Sequence, residues 1–410
     1  MSGSTSPASS ADPFVLAVAR VHDGLGFLPD DDFIVVVAEG TVVDLGPRAR
    51  LLGKYSALPL VDHSNAVLTP GWIDTHVHST MPGDGRPIEE VAPAPFETRI
   101  AIATANLRAH LAGGVTTVRD LGSHLDYLTW PPGPGLMPRV LRYGMPITAD
   151  RGHMHLFGGA LKAARTVTDV ARANLEAGAD GLKLVASGGG TLGTVPHETT
   201  LTSDQVAEAV RLAHTYGKRV TVHALTNGAI IAAAAAGADG IEHLGFLATD
   251  GLSRVQQEAL EAAIAAGIVF GSTLGCNEAY LHLSGSNGTA EHDEQSIRTE
   301  YYRRNADRVL GAGGRMAIGT DAGWKHTPFG AYTRELQLLA GAGVPAERLL
   351  HLATAGNADA LGVPGLTGMI RPGHPADLVV IDGVDFAARA PKVLEVVAAG
   401  RRLASPGTPS

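Results

Sequence analysis

The sequence predicts an α/β protein: a (β/α)8 TIM barrel with a small β-sandwich-like domain formed by both chain ends. Three observations point there. Apolar strand-like runs alternate with Ala/Leu-rich helical stretches through the middle of the chain, short Val-rich runs occupy both ends, and metal-competent side chains stand where the central runs finish. The 410 residues exceed the usual single core, and a barrel of about 250 residues plus a smaller unit accounts for that length.

Residues Met1 to Asp12 are Ser-rich and lack a cationic stretch followed by a long apolar one, so they read as a frayed tail rather than a secretory signal. Strand-like runs follow at Phe14 to Val21, Phe33 to Glu39 and Thr41 to Leu45, separated by turn material such as Asp23-Gly24 and Asp30-Asp31-Asp32. Asp377 to Asp382 and Val393 to Arg401 repeat that character after the Gly/Pro punctuation of residues 371–375. Residues 13–68 and 366–410 are therefore expected to build one composite β domain, and 69–365 the barrel. Eight central strands are expected near Gly71–His78, Val115–Asp120, Arg139–Tyr143, Gly181–Ala186, Arg219–His223, Gly240–His243, Ile268–Ser272 and Arg315–Asp321. Helical stretches such as Glu97–Ala112, Ser203–Tyr216, Arg254–Ala266 and Glu294–Ala312 fill the gaps. The same alternation would also suit an open doubly wound sheet.

Hydrophobic residues make up 45% and charged residues 18%, which fits a compact enzyme and excludes collagen-like or disordered readings. A formal net charge of -9 argues against nucleic acid or an anionic membrane as partner and for a small-molecule substrate. No run reaches the roughly 18 apolar residues of a membrane span, and a cytoplasmic location is expected. So apolar a chain is compatible with homo-oligomer formation. Cys276 is the single cysteine, so a disulfide framework or a thiolate zinc site is excluded within one chain, and any metal must use His, carboxylate or an unusual ligand.

In a parallel barrel every strand opens its C-terminal end onto one face, so His76, His78, Lys183, His223, His243 and Asp321 would converge. His76 and His78 have the i, i+2 spacing that puts both imidazoles on one side of a strand. One His at a strand end is ordinarily a hydrogen-bonded pocket residue; four at the ends of parallel strands suit a borderline cation such as Zn²⁺ with a position open to water. Lys183 lies in the apolar run Gly181–Ala186, where a cation is costly. It either pairs with a neighbouring carboxylate or, as the neutral amine, captures CO₂ as a carbamate that can bridge two metals.

These residues resemble the amidohydrolase superfamily in its binuclear carboxylated-lysine class. The resemblance rests on Pro70-Gly71-Trp72-Ile73-Asp74-Thr75-His76-Val77-His78, Gly181-Leu182-Lys183, Val222-His223-Ala224, Ile241-Glu242-His243, Gly319-Thr320-Asp321-Ala322-Gly323 and Gly373-His374-Pro375-Ala376-Asp377-Leu378-Val379. It implies that one metal takes His76, His78 and Asp321, that the other takes His223 and His243, and that carboxylated Lys183 bridges them. Arg151-Gly152-His153-Met154-His155 and Ser187-Gly188-Gly189 are similar to the branch holding Xaa-Pro dipeptidases and imidazolonepropionase-related enzymes.

The chemistry expected is attack of a metal-bridging hydroxide on an amide, dipeptide or cyclic-amide carbonyl, with Asp321 as general base and then acid. The alternative is a one-metal deaminase or an imidazolone or cyclic-amidine hydrolase, which would not need Lys183. Between His153 and His155, one would line the pocket or polarise the carbonyl and the other would make a supporting hydrogen bond. Arg151 is a candidate partner for a substrate carboxylate; Tyr280, His282, Trp324 and His326 are candidate substrate contacts by location beyond the last two strands. Gly188 to Gly193 satisfies Gly-X-Gly-X-X-Gly, but Val195-Pro196 follows where that motif needs a helix, so these glycines read as a pocket-side loop.

Overall fold

The computed structural model describes residues 12–131, 136–162, 164–247, 254–283 and 290–403. The expected tail therefore lies, but for Asp12, outside the described residues. The strands are β1 (Phe14–Val21), β2 (Phe33–Ala38), β3 (Thr41–Pro47), β4 (Leu60–Pro70), β5 (Trp72–Val77), β6 (Val115–Asp120), β7 (Arg139–Arg142), β8 (Ile147–Ala149) and β9 (Ala160–Leu161). After them come β10 (Gly181–Val185), β11 (Arg219–His223), β12 (Gly240–Glu242), β13 (Val269–Gly271), β14 (Arg315–Ala317), β15 (Leu378–Ile381), β16 (Val393–Ala398) and β17 (Arg401–Arg402).

Both chain ends enter one seven-stranded sheet, ordered β17-β16-β15-β4-β1-β2-β3. Strict alternation sets its two faces: Phe14, Leu16 and Val18 pack with Phe33, Val35 and Val37, whereas Val15 and Ala17 pack with Ile34, Val36 and Leu51. The β-sandwich-like unit expected of both chain ends takes the form of this one sheet, in which β4, with 11 residues, pairs with β1 in parallel and with β15 antiparallel. The sheet curls, and the β2–β3 turn returns to the segment before β15 through Val42 N to His374 O (2.9 Å) and Ala376 N to Gly40 O (2.9 Å).

The central residues form a mixed α/β fold with all-parallel ladders. β5, β6 and β7 make one sheet, and β14-β13-β12-β11-β10-β8-β9 make another. Main-chain bonds join their edges. Thr75 N reaches Ile318 O (3.1 Å), Asp321 N reaches His76 O (2.8 Å) and His78 N reaches Ala322 O (2.7 Å), while Asp180 N reaches Arg142 O (2.8 Å) beside β7. The third expected strand, Arg139–Tyr143, is β7; the short β8 that follows it was not expected, and between the two Pro146 has no N–H to give while Asn174 bonds Met145 N (3.0 Å) and Met145 O (2.8 Å).

Amphipathic helices cover these strands. Val167–Glu176 and Ser203–Thr215 each open with a reciprocal capping box, Thr166 with Asp169 and Thr202 with Gln205. Tyr280 and His282, read from sequence as loop residues, fall instead in the helix Leu274–Leu283. Its first turn is capped from a distance: the Glu335 carboxylate accepts Leu274 N (2.8 Å) and Gly275 N (2.7 Å). Their side chains lie outside the described residues. Among the described residues, no helix is long and apolar enough to cross a membrane.

Trp72 opens β5 and so supports the strand that carries two of the histidines; it is fully buried and stacks on Tyr332 with ring centroids 5.7 Å apart. Trp72→Ala should therefore cost about 3–5 kcal/mol, the range for truncating a large buried aromatic. Denaturant unfolding measures it, and a loss below about 1 kcal/mol would contradict this packing role.

Candidate metal centre and substrate cavity

The strand ends do bring the six residues together. His76 lies in β5 and His78 just beyond it, Lys183 in β10, His223 at the end of β11, and His243 and Asp321 just past β12 and β14. Five imidazoles and one indole form a closed circuit of ring contacts: His78–His76 (5.3 Å), His76–His243 (5.0 Å), His243–His223 (4.7 Å), His223–His153 (4.7 Å), His153–Trp324 (4.9 Å) and Trp324–His78 (5.7 Å). His243 and Asp321 take the left-handed conformation, φ 69° and 61°, which turns the chain at the strand ends. Such backbone is uncommon outside glycine and is held where function needs it.

Three of the imidazoles spend one nitrogen on the protein and keep the other. His76 Nδ1 donates to Glu242 Oε2 (2.8 Å), His223 Nε2 donates to Gly188 O (3.0 Å), and His243 Nδ1 bonds Thr273 Oγ1 (2.8 Å). That arrangement fixes ring orientation and leaves a lone pair for a cation. Ligand atoms of His76, His78 and Asp321 lie within 4.8 Å of one another, with Asp321 Oδ1 3.2 Å from His78 Nε2 and 3.5 Å from His76 Nε2. Lys183 Nζ and His78 Nδ1 are buried without a hydrogen-bond partner. Buried imidazole nitrogens, a carboxylate and an orphaned amine are a donor set that fits divalent metal.

The electrostatics agree. Burial holds His223 down at about 3 and His153 and His243 well below the ordinary histidine range, so these rings are neutral. Burial also brings Lys183 down to about 8, against the pull of Glu242. Burial pushes the Asp321 carboxyl up, but His76 and His78 overcome it and hold the group below its usual range.

The Amidohydrolase family profile matches residues 67–403. The chain belongs to the amidohydrolase family. This amidohydrolase is 24% identical to ochratoxinase of Aspergillus niger over 385 residues, 85% of this chain and 77% of the relative. A 100-residue stretch is 32% identical to imidazolonepropionase of Brucella anthropi, 24% of this chain and 22% of the relative. The fold superposes on a crystal structure of a Xaa-Pro dipeptidase with bound methionine in the active site, with TM-score 0.80 and 22% identity over 96% of this chain and 100% of that one. The amidohydrolase is an enzyme that hydrolyses carbon–nitrogen bonds.

Above the histidines lies a cavity of about 170 Å³ lined by His153, His223, His243, Asp321 and Trp324, together with Gly189 and Gly190 of the glycine-rich loop. His153 bonds Thr191 Oγ1 through Nδ1 (2.8 Å). Arg151 is exposed and His155 turns Nδ1 to Gly152 O (3.0 Å); His326 packs against Gly85, and the cavity lining contains none of these three. Sequence reasoning missed Cys276, Arg298, Tyr302 and Lys325, which also line it. It also missed Glu242 as a support residue, although its place beside His243 at a strand end was a signal.

Glu242 accepts from Arg119 (2.5 Å), Thr221 Oγ1 (2.5 Å) and His76. Burial raises its pKa, but Arg119 and His76 outweigh that and hold it far below the usual carboxylate range. A depressed carboxylate stabilises the fold fully above its unfolded value, about 4.5, and that stabilisation is lost as pH falls through the folded value. Glu242→Gln should cost about 3–5 kcal/mol at neutral pH by stranding Arg119, and should flatten the loss of stability on acidification below about pH 4.5. Thermal melts across pH measure both; an unchanged acid limb would remove Glu242 from this role.

Proposed function

We propose that the two parallel sheets close as one (β/α)8 barrel, residues 69–365, beside the composite β domain of 13–68 and 366–410, and that its mouth is a binuclear centre hydrolysing an amide, dipeptide or cyclic amide. The observation carrying this reading is Lys183: an amine among neutral imidazoles with no hydrogen bond and no ion pair among the described residues. As the neutral amine it adds to CO₂, losing one proton and gaining an anionic carbamate. His76, His78 and Asp321 would hold one ion, His223 and His243 the other, and the Lys183 carbamate would serve both; the donors suit Zn²⁺. Bound ions would supply Lewis acidity and a water acidic enough to attack near neutral pH.

The chain's own groups do the rest. Asp321 is ionised, so it accepts the attacking water's proton and returns it to the departing nitrogen; amide plus water gives acid plus amine. Burial keeps His153 neutral; Thr191 Oγ1 accepts Met154 N (3.1 Å) and so turns its hydroxyl hydrogen to His153 Nδ1, the tautomer that leaves Nε2–H to donate to the carbonyl oxygen as charge develops there. Cys276 does not compete as nucleophile, because burial and Asp321 push its thiol up. One cysteine and a charge of -9 support a cytoplasmic setting and a small-molecule substrate.

Purified, metal-analysed enzyme tested against N-acyl amino acids, dipeptides and cyclic amides should hydrolyse at least one group, and failure on all three would overturn the amide reading. In the same assay Asp321→Asn should lower kcat by about 10²–10⁴. Full turnover in that variant would remove Asp321 as the proton carrier.

A further inference from the structure

Two cations line the cavity. Arg298 comes from the helix Ala290–Gly311 and Lys325 from the loop after β14. Among the described residues the lining's one carboxylate is Asp321, which faces His76 and His78. Arg298 has no carboxylate within salt-bridge distance among the described residues; its guanidinium carbon sits 5.9 Å from the centroid of the buried Tyr302 ring, four residues along the helix. Glu89, which also accepts Leu192 N (3.2 Å), attracts Lys325.

The position of Lys325 is built rather than incidental. Its φ is 43°, a conformation a long side chain rarely adopts, and its carbonyl accepts Gly85 N at 2.7 Å. A Cβ placed on Gly190 would stand 3.1 Å from Trp324 Nε1 and 3.5 Å from Lys325 Cε, so the glycine leaves room for both to run along the wall. Burial lowers the Lys325 pKa against the pull of Cys276 and Glu89.

We propose that the substrate carries a carboxylate near its scissile bond and that Arg298, with Lys325 beside it, binds that group. A planar carboxylate accepts two parallel bonds from a guanidinium, and the exposed Arg298 stands at the cavity's solvent side, where an entering anion meets it. This favours an N-acyl amino acid or a dipeptide, whose free carboxylate lies next to the amide, over a neutral cyclic amide. The role first assigned to Arg151, which does not line the cavity, passes to Arg298 and Lys325, which do. The inference rests on the amide reading above.

The test compares N-acetyl amino acids with the matching N-acetyl amines, which keep the amide and replace the carboxylate by hydrogen. The enzyme should prefer the acids in kcat/KM, and Arg298→Met should lower that preference roughly ten- to a hundred-fold, mainly through KM. Lys325→Met should act in the same direction by a smaller factor. Metal content and melting temperature check that the variants fold. A preference unchanged by Arg298→Met, or no preference in the wild type, overturns the proposal. If neither series is hydrolysed, the amide reading fails, and calorimetric binding of the same acids decides this one separately. Binding by the wild type that weakens at least ten-fold in Arg298→Met supports it; no binding, or binding equal in both, overturns it.

Discussion

A buried carboxylate is tolerated where its oxygens are used, and Glu242 uses them to join four strands. From β12 it reaches Thr221 of β11 alongside, and His76 of β5 and Arg119 of β6 in the other sheet, at 2.5–2.8 Å. Arg119 then extends to Thr75 O at 2.6 Å. These short bonds cross from one parallel sheet to the other, and so they set how closely the strand ends approach. The ring circuit above them depends on that spacing. A second buried carboxylate does similar work at the edge: Asp74 accepts from His76 N (3.0 Å), Thr320 N (3.0 Å) and His110 (2.9 Å), tying β5 to the loop that presents Asp321.

The same burial that makes those carboxylates strong holders makes the centre reactive. Imidazoles at 4.7–5.3 Å ring spacing repel one another when charged, and desolvation keeps His223 and His243 neutral. Lys183 is drawn down by the same cause and left without a partner. An apolar cluster would be more stable; what this one gains is a set of donors able to hold a metal ion. The cavity adds the cationic side chains of Arg298 and Lys325 to this donor set.

Much of this was legible in the sequence because it depends on strand period and strand end. Val115–Asp120 and Arg219–His223 were bounded as the structure has them, and the six proposed ligands follow from side chains at the ends of parallel runs. What escaped depends on partners distant in sequence. The helix Leu274–Leu283 is capped by Glu335, about 60 residues on; the short strand β8 stands apart from β7 across Met145, which Asn174 holds. Arg298 and Tyr302 reach the cavity from a helix whose pattern reads as an ordinary charged surface, whereas Arg151, near a histidine pair in sequence, faces outward. The pairing inside the β unit also escaped: a single long strand, β4, joins the N-terminal strand β1 to the C-terminal strand β15.

The central claim is that Lys183 becomes an anion shared by two cations. A crystal structure of the metal-loaded enzyme, with the ions located by anomalous scattering, tests it most directly. The account predicts a planar carbamate on Lys183 Nζ and two metal peaks, one among His76, His78 and Asp321 and one beside His223 and His243. A bare ammonium on Lys183, or a single peak, would contradict it.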